Sequence, residues 1–203
     1  MRVWVSAVML SATLSGYDQG HVDRLFREEA CKGCDFSGAD LSGRDLSAFE
    51  MQGSDFRGAN LKNSNLFMAA LAECDFSGAE LENAVFWKAD ASDANFTGVN
   101  AKRANFKGTN LRRATLIKSD FRESVSWKAD FTDARIEQSD FGDSELGSAT
   151  FVRNDLTSVN LQGAILWQTH FRDTVLTREQ CEEAKREEAL FDENVTCRQG
   201  RSD

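Results

Sequence analysis

The stretch NFTGVNAKRANFKGTNLRRATL, from Asn95 to Leu116, repeats one unit every five residues. An apolar residue recurs at this spacing, at Phe96, Ala101, Phe106, Leu111 and Leu116. A small residue stands two positions before each of them, at Ala94, Val99, Ala104, Thr109 and Ala114. An α-helix repeats about every 3.6 residues and a strand about every two, so neither has this period. The stretch therefore predicts a chain that turns regularly once in every unit.

The same frame continues far beyond this stretch. It runs from Phe36 to Leu176 without an insertion, which makes 29 consecutive units, and in 26 of them the central residue is large and apolar. One exception, Ser126, is a candidate local bulge or water site. Small and central residues two apart lie on one side of an extended chain, so both can point inward while the residue between them points out.

The residue between them is often Asp or Asn, so the unit reads A-(D/N)-(L/F)-x-x, as in ADLSG, ANLKN and ADFTD. Glycine recurs at the last position of many units, where a turn needs it. This pattern resembles the pentapeptide repeat family over Cys34 to Arg178. The resemblance implies an all-β solenoid, a right-handed quadrilateral β-helix in which four units make one coil. The repeats would then form about seven coils, roughly 35 Å long at the usual strand spacing.

Such a solenoid needs caps, because its strands are unpaired only at the two ends. Before the repeats, HVDRLFREEA places Val22, Leu25, Phe26 and Ala30 at helical spacing. After them, Thr177 and Gln180 stand in a capping-box relation, followed by Cys181, Ala184, Glu188 and Phe191 on roughly one side. We therefore divide the chain into an apolar segment (1–17), a helical cap (18–33), the β-helix (34–178) and a capping helix with a tail (179–203).

The opening segment MRVWVSAVMLSATLSG has one arginine, a mostly apolar run and then small residues. It is too short to span a membrane and is typical of a signal peptide that is cleaved near Ser15 to Tyr17. The alternative is an apolar strand that covers the end of the core. Cleavage predicts a periplasmic or secreted protein with no membrane span in the mature chain. An intact segment predicts a cytoplasmic protein.

The cysteines flank the repeats in two pairs. Cys31 and Cys34 form the motif CKGC, and Cys181 and Cys197 bracket the C-terminal segment. In an oxidising compartment both pairs are candidate disulfides, and the second would contribute roughly 3 kcal/mol by loop closure. Zinc is the alternative for CKGC, but the chain has no second CxxC and only two histidines. The fifth cysteine, Cys74, occupies a small-residue position and is expected to be a buried thiol.

The sequence offers little for catalysis. His21 falls in the N-terminal cap, and His170 falls at an Asp/Asn position that should face outward; neither stands in an evident catalytic constellation. The aspartates recur with the repeat, so solvated outward positions and turn hydrogen bonds explain them better than an acid/base pair does. There is no P-loop, GxGxxG or HExxH motif. We therefore predict a protein that is not an enzyme and needs no cofactor or metal.

Charge bears on a second function that the family resemblance implies. Some members of the family mimic DNA and bind topoisomerases by presenting an acidic rod. The chain has a net charge of −9. Yet the stretch from Val99 to Lys118 holds six basic residues and no acidic one, namely Lys102, Arg103, Lys107, Arg112, Arg113 and Lys118. These predict a positive belt around one coil, which weakens the negative potential that mimicry needs. Nucleic-acid binding is not expected either, because the whole molecule is acidic.

One pattern on the surface stands out from the repeat. Trp87, Trp127 and Trp167 each follow a central residue and are spaced by forty residues, with Phe67 one coil before the first and Lys107 between the first two. All five should share one wall and face solvent, with Lys107 placed for cation–π contacts worth about 0.5 to 1 kcal/mol. The column either stabilises the ladder or is a docking stripe for a partner.

These observations predict a non-catalytic, exported solenoid that acts as a rigid scaffold or protein-binding module. Its partner is an unknown protein or a second copy of the chain. The alternative is a cytoplasmic DNA mimic that binds the topoisomerase gyrase.

Overall fold

The protein is an elongated ladder of short parallel strands in which each residue pairs with the residue twenty positions further along. The structure, a computed structural model, describes residues 17–192 and 194–199. Asp35 pairs with Asp55, Asp55 with Asp75, and Asp75 with Asn95, all in parallel. The same pairing recurs at every fifth residue, which produces four such ladders. Four units therefore make one coil, and the predicted β-solenoid is confirmed.

Most of these pairings are single bridges, and only a few segments are long enough to count as strands. The strands of the repeats are β1 (Thr115–Ile117), β2 (Arg135–Glu137), β3 (Thr150–Val152), β4 (His170–Arg172) and β5 (Val175–Thr177). Two more follow the repeats, namely β6 (Leu190–Phe191) and β7 (Thr196–Arg198). Each central residue of these three-residue strands in the repeats is buried, with its neighbours partly or fully exposed.

The central and small residues fill the interior, as the sequence predicts. Phe36, Phe56, Phe76 and Phe96 lie in successive coils, and their ring centroids follow one another at 5.0, 4.9 and 5.0 Å. All four side chains are fully buried. Stacked aromatic rings at these distances add favourable contacts to the burial of apolar surface. The core is thus a continuous column of side chains along the axis.

The turns explain the Asp/Asn and Gly positions of the unit. The Oδ1 atom of Asp75 accepts a hydrogen bond from the backbone N–H of Ser77 at 2.9 Å, and this contact recurs in many units. The last position of the unit has left-handed backbone, as at Gly78 with φ 68° and Asn83 with φ 58°. Glycine is favoured there because other residues adopt this conformation at a cost. The predicted role of both positions in the turns is confirmed.

Cys74 and Ser126 are two residues of the core for which the sequence made a specific prediction. The thiol of Cys74 is buried and lies 3.0 Å from the carbonyl oxygen of Met51, and burial raises its pKa to about 12. The prediction of a buried thiol is confirmed. Ser126 is fully buried, and among the described residues its Oγ has no hydrogen-bond partner. This is the environment expected of a water site, although the backbone pairing continues through Ser126 without a bulge.

Helix α1 (Gln19–Glu28) caps the first coil. It begins after Asp18, whose side chain accepts a hydrogen bond from the backbone N–H of Gly20. Leu25 is fully buried, whereas Phe26 is 40% exposed and packs at 6.3 Å from Phe49. His21 also contributes, because its Nδ1 accepts the backbone N–H of Asp35 at 3.0 Å. The predicted N-terminal helix is confirmed, but it ends before Ala30.

Helix α2 (Arg178–Arg186) caps the other end, and its N-terminus has the predicted capping box. The Thr177 side chain accepts from the backbone of Gln180, and the Gln180 side chain accepts from the backbone of Thr177. Cys181 and Ala184 are fully buried. The helix ends at Arg186, so the expectation that it carries Phe191 on its inner side is wrong. Neither α1 nor α2 is long and apolar enough to cross a membrane.

The tail returns to the solenoid after α2, which the sequence did not predict. Strand β6 pairs with β4, and β7 pairs with β5. The ladder therefore continues past Arg178, where we expected it to end. The structure joins Cys31 to Cys34 and Cys181 to Cys197, with Cα atoms 5.6 and 6.1 Å apart. The predicted signal segment lies outside the described residues, apart from Tyr17.

Candidate functional site

The predicted column lies on one wall of the solenoid. One ladder of the solenoid pairs residues twenty apart, and it runs through Asn65, Val85, Asn105, Val125, Glu145 and Ile165. The residues two positions after these ladder residues therefore lie in line, among them Phe67, Trp87, Lys107, Trp127 and Trp167. Trp87 and Trp167 are 38% and 42% exposed, and the other three are half-buried. We call this surface the aromatic wall and define it by Phe67, Met68, Val85, Trp87, Lys88, Lys107, Val125, Trp127, Lys128, Ile165 and Trp167.

The aromatic rings form two pairs. The ring centroids of Phe67 and Trp87 are 4.9 Å apart, with their planes tilted by 44°. Those of Trp127 and Trp167 are 6.4 Å apart and nearly parallel, with 13° between their planes. The second pair is unexpected, because these tryptophans are two coils apart, or about 9.6 Å at the usual strand spacing.

Gly147 lies in the coil between these two tryptophans and allows them to approach. A Cβ atom at Gly147 would stand 1.9 Å from Nε1 of Trp127, so the indole of Trp127 occupies the space of the missing side chain. Gly147 is itself buried. The period of the repeat does not single out this residue. The available signal was a glycine directly after the central Leu146, outside the last position of the unit where turns require glycine.

Lysines accompany the indole rings on this wall. The Nζ atoms of Lys107 and Lys128 lie 5.5 and 5.4 Å from the Trp127 ring centroid, and that of Lys88 lies 5.3 Å from the Trp87 centroid. Lys107 thus meets one of the two rings that we expected it to contact. Across residues 17–192 and 194–199, none of the three lysines has a carboxylate within 4.0 Å. Their positive charges remain available to a partner.

Most of the predicted positive belt is neutralised by its neighbours, so that expectation is wrong. Lys102 pairs with Glu123 at 2.9 Å, and Arg103 pairs with Glu82 and Glu123. The remaining pairs join residues of adjacent coils in the same way, with Arg112 on Asp130 at 3.2 Å and Arg113 on Asp93 at 2.6 Å. The acidic partners are about twenty residues away in sequence, so a count over one coil could not reveal them.

Aliphatic side chains complete the aromatic wall. Met68 and Ile165 are 54% and 48% exposed, and Val85 and Val125 are half-buried beside the tryptophans. Four of the six large hydrophobic side chains that stand out as exposed in the described chain lie here, namely Met68, Trp87, Ile165 and Trp167. Contiguous exposed apolar surface of this kind is typical of interaction sites.

The wall half a coil away has the opposite character. We call it the aspartate wall and define its ladder by Asp35, Asp55, Asp75 and Asn95. The Asn95 side chain donates to Asp75 at 3.0 Å. The Arg57 guanidinium hydrogen-bonds to Asp55 and holds the pKa of that carboxyl below its usual value. Its polar groups thus bond to one another, and none of the exposed large hydrophobic side chains of the described residues belongs to this ladder.

The histidines and cysteines do not gather into a chemical site. His21 is engaged with the backbone of Asp35 and lies 3.8 Å from the Asp18 carboxylate, whereas His170 lies exposed on β4. Within the described ranges, no group of three or more His, Cys, Asp or Glu side chains is placed to hold a metal ion.

Comparison with known proteins returns one family. A family model described as a pentapeptide repeat region matches residues 69–151, and a second, described as pentapeptide repeats in 8 copies, matches residues 32–67 and 155–178. No curated protein matches the chain.

Similar solved structures include HetL, a pentapeptide repeat protein involved in heterocyst differentiation regulation from the cyanobacterium Nostoc sp. strain PCC 7120. It is 17% identical, with 88% of this chain and 92% of that one covered and a TM-score of 0.36. A trypsin-treated variant of QnrB1, a plasmid-mediated fluoroquinolone resistance protein, is 23% identical over 77% and 84% of the chains, with a TM-score of 0.36. A pentapeptide repeat protein from the Arabidopsis thaliana thylakoid lumen is 30% identical, with 57% of this chain and 68% of that one covered and a TM-score of 0.21.

Proposed function

The chain belongs to the pentapeptide repeat family, and we propose that it acts as a rigid, non-catalytic module that binds another protein. The docking surface in this proposal is the aromatic wall. The observation that carries it is the alignment of Phe67, Trp87, Trp127 and Trp167 beside three lysines that have no carboxylate partner in the described chain. We also carry over the right-handed winding and the roughly seven coils that the family resemblance implies.

The backbone beneath the wall is held on both sides, which favours tight binding. Met68 N–H donates to the carbonyl of Trp87 at 3.0 Å, and Lys88 N–H donates to that of Lys107 at 3.0 Å. Gly108 N–H continues the series to Trp127 at 2.8 Å. A partner therefore meets aromatic side chains on a preorganised support, and little backbone entropy is lost on binding. Tryptophan is also enriched among the residues that dominate binding energy in interfaces.

The chemistry of the wall favours a partner segment that is both apolar and acidic. Its aliphatic and aromatic side chains suit apolar contacts, and Lys88, Lys107 and Lys128 suit carboxylates. The positive strip is narrow, because the exposed Glu145 lies on the same ladder and Asp90 and Asp130 lie on the next wall. A wide negative surface, such as duplex DNA or an anionic bilayer, would bring its charges against these aspartates. A single protein segment avoids that repulsion.

Export is part of the proposal. The apolar N-terminal run and the two joined cysteine pairs at the ends of the repeats both suit an oxidising compartment. N-terminal sequencing of the mature protein with a free-thiol count tests this. A start near residue 17 with one free thiol supports export, whereas an intact Met1 with five reduced thiols contradicts it.

The double substitution Trp87→Ala with Trp127→Ala tests the docking surface. Ser77→Ala with Thr97→Ala is the matched control, because these residues occupy the equivalent outward positions on the aspartate wall. Partner capture and self-association, measured by affinity recovery and sedimentation, should fall at least tenfold in the first variant and stay unchanged in the control. If both variants retain every interaction, the column only stabilises the ladder. A gyrase supercoiling assay at micromolar protein tests the alternative, and inhibition that survives the tryptophan substitutions would favour it.

A further inference from the structure

On the wall that precedes the aromatic wall, the last complete coil has an edge that pairs with no strand of the described residues. One coil earlier, the backbone N–H groups of Phe141 and Asp143 donate to the carbonyls of Asn160 and Gln162 at 2.9 and 3.0 Å. The equivalent groups of Leu161 and Gly163 have no hydrogen-bond partner among residues 17–192 and 194–199. The reason is that the chain forms α2 after Thr177, where another coil would have supplied the next strand.

Helix α2 replaces only part of what that strand would provide. In each coil a backbone N–H reaches the carbonyl twenty-one residues earlier, as Asn160 does with Ser139 at 3.0 Å. At the end of the solenoid, the side chain of Gln180 takes this role and donates to the carbonyls of Val159 and Leu156 at 2.8 and 2.9 Å. No side chain of the described residues accepts from Leu161 or Gly163.

The helix stands off from this edge and leaves a cleft of ≈ 370 Å³. One side of the cleft is the edge itself, with the buried apolar residues Val159, Leu161 and Leu166. The other side is α2, which contributes Glu179 and Glu183. Neither carboxylate has a salt-bridge partner across the cleft; Glu183 pairs with Arg186 on its own helix. The cleft thus combines two free donors, a floor to which Val159 and Leu161 expose only a small part of their side chains, and an acidic rim.

We propose that this cleft binds an extended peptide strand that carries a lysine or arginine side chain. One coil earlier, the N–H groups of Phe141 and Asp143 both donate to the next coil, so those of Leu161 and Gly163 point the same way and match two carbonyls spaced by two residues on an incoming peptide. Apolar side chains of the peptide cover the floor, and its basic side chain meets Glu179 and Glu183. Strand addition to an exposed sheet edge is a common mode of peptide recognition, because backbone hydrogen bonds supply affinity and side-chain pockets supply selectivity.

The cleft is a second binding site at the end of the rod, and it does not depend on the proposal for the aromatic wall. Its preference for a basic strand is opposite to the preference that we propose for that wall. The two sites could therefore hold different segments of one partner or two separate partners.

Amide hydrogen exchange measured by NMR on the full chain tests the cleft directly. In the free protein, the amides of Leu161 and Gly163 should exchange at least a hundredfold faster than those of Phe141 and Asp143. Saturation with the blocked tripeptide acetyl-valyl-arginyl-valine amide should slow the first two at least tenfold and leave the second two unchanged. The corresponding glutamyl peptide should bind at least fivefold more weakly.

Substitutions on α2 separate the acidic rim from general helix effects. Glu179→Gln with Glu183→Gln should weaken binding of the arginyl peptide at least fivefold, whereas Glu182→Gln, on a residue of the same helix outside the cleft, should not. The proposal is overturned if Leu161 and Gly163 are already protected in the free protein, since the chain would then fill its own cleft. It is also overturned if the arginyl peptide does not slow their exchange or if the glutamyl peptide binds equally well.

Discussion

The aromatic wall and the aspartate wall have the same backbone and opposite surfaces. In both, residues twenty apart pair in parallel, and buried phenylalanines or leucines line most of the inner side. They differ at the two outward positions of each unit, where one wall carries Val85 and Trp87 and the other carries Asp75 and Ser77. Inward residues therefore specify the rod, and outward residues specify what it can bind.

The two walls also satisfy their outward positions differently. On the aspartate wall, Asp75 accepts from the backbone of Ser77 and also from the Asn95 side chain one coil further on. On the aromatic wall, Val85 has no side-chain oxygen and cannot make either contact. Such hydrogen bonds contribute about 0.5 to 1.5 kcal/mol each. Val85 and Val125 therefore forgo this local support, whereas Asn65 and Asn105 on the same ladder keep it by accepting from the backbone N–H groups of Phe67 and Lys107.

The largest expected effect comes from the core, where the walls should not differ. Phe86 lies inside the aromatic wall and packs against Phe76, Phe96 and Phe106, and Phe96 lies inside the aspartate wall among equivalent rings. Phe86→Ala and Phe96→Ala should each lower the free energy of unfolding by about 3 to 5 kcal/mol, because each leaves a cavity.

Urea unfolding measures the free energy of unfolding of both variants. Trp87→Ala is the surface control, and it should lower this free energy by less than about 1 kcal/mol. A difference of more than about 2 kcal/mol between the two core variants would mean that outer residues influence the core beneath them. That result would break the separation of inward and outward roles.

A smaller effect is expected at Gly147, where the aromatic wall depends on an absent side chain. Gly147→Ala should push the Trp127 indole away from Trp167, because the new Cβ would lie 1.9 Å from its Nε1. The free energy of unfolding should fall by only about 1 kcal/mol, since a surface side chain can move aside. Tryptophan fluorescence should shift to longer wavelength as the ring gains water.

The Trp127→Ala background provides the control for this prediction. There, Gly147→Ala should change stability by less than about 0.5 kcal/mol, because the conflict is gone. An unchanged fluorescence spectrum in the single variant would show that Gly147 does not set the position of Trp127.

The smallest effect distinguishes the walls by pH. The hydrogen bond from Arg57 lowers the pKa of Asp55 on the aspartate wall. A lowered folded-state pKa gives stability that is present above the unfolded value of about 3.9 and is lost as the pH falls through the folded value. Arg57→Ala should therefore flatten the loss of stability on the acid side. Lys107→Ala should leave the pH dependence of stability unchanged, because Lys107 pairs with no carboxylate of the described residues. Thermal unfolding from pH 2 to pH 7 measures the stability of both variants.

Much of this architecture could be predicted because the repeat is local and regular. The spacing of Phe96 and Phe106 indicated the solenoid, and the relation of Thr177 to Gln180 indicated the start of α2, since both patterns act within a few residues. The column of tryptophans could also be predicted, because a constant period places residues forty apart on the same wall.

The errors concern contacts between coils. The basic belt is largely neutralised because Arg113 meets Asp93, and the tail forms β6 and β7 because α2 brings the chain back to β4 and β5. The pairing of Arg113 with Asp93 depends on how far the arginine side chain reaches, and the formation of β6 and β7 depends on the length of α2. Neither follows from the period of the repeat.

The period of the amino-acid sequence is enough to indicate which residues of this protein face the axis, since the unit recurs 29 times in a single frame and 26 of its central residues are large and apolar. Only the tertiary structure decided how neighbouring coils use their outer side chains. It folded Trp127 over Gly147, paired Arg113 with a carboxylate one coil away, and left Leu161 and Gly163 without a partner strand among the described residues. The physical reason is that the inward pattern is imposed by water on each unit separately, whereas outer contacts depend on which side chains the closed coil brings within a few ångströms.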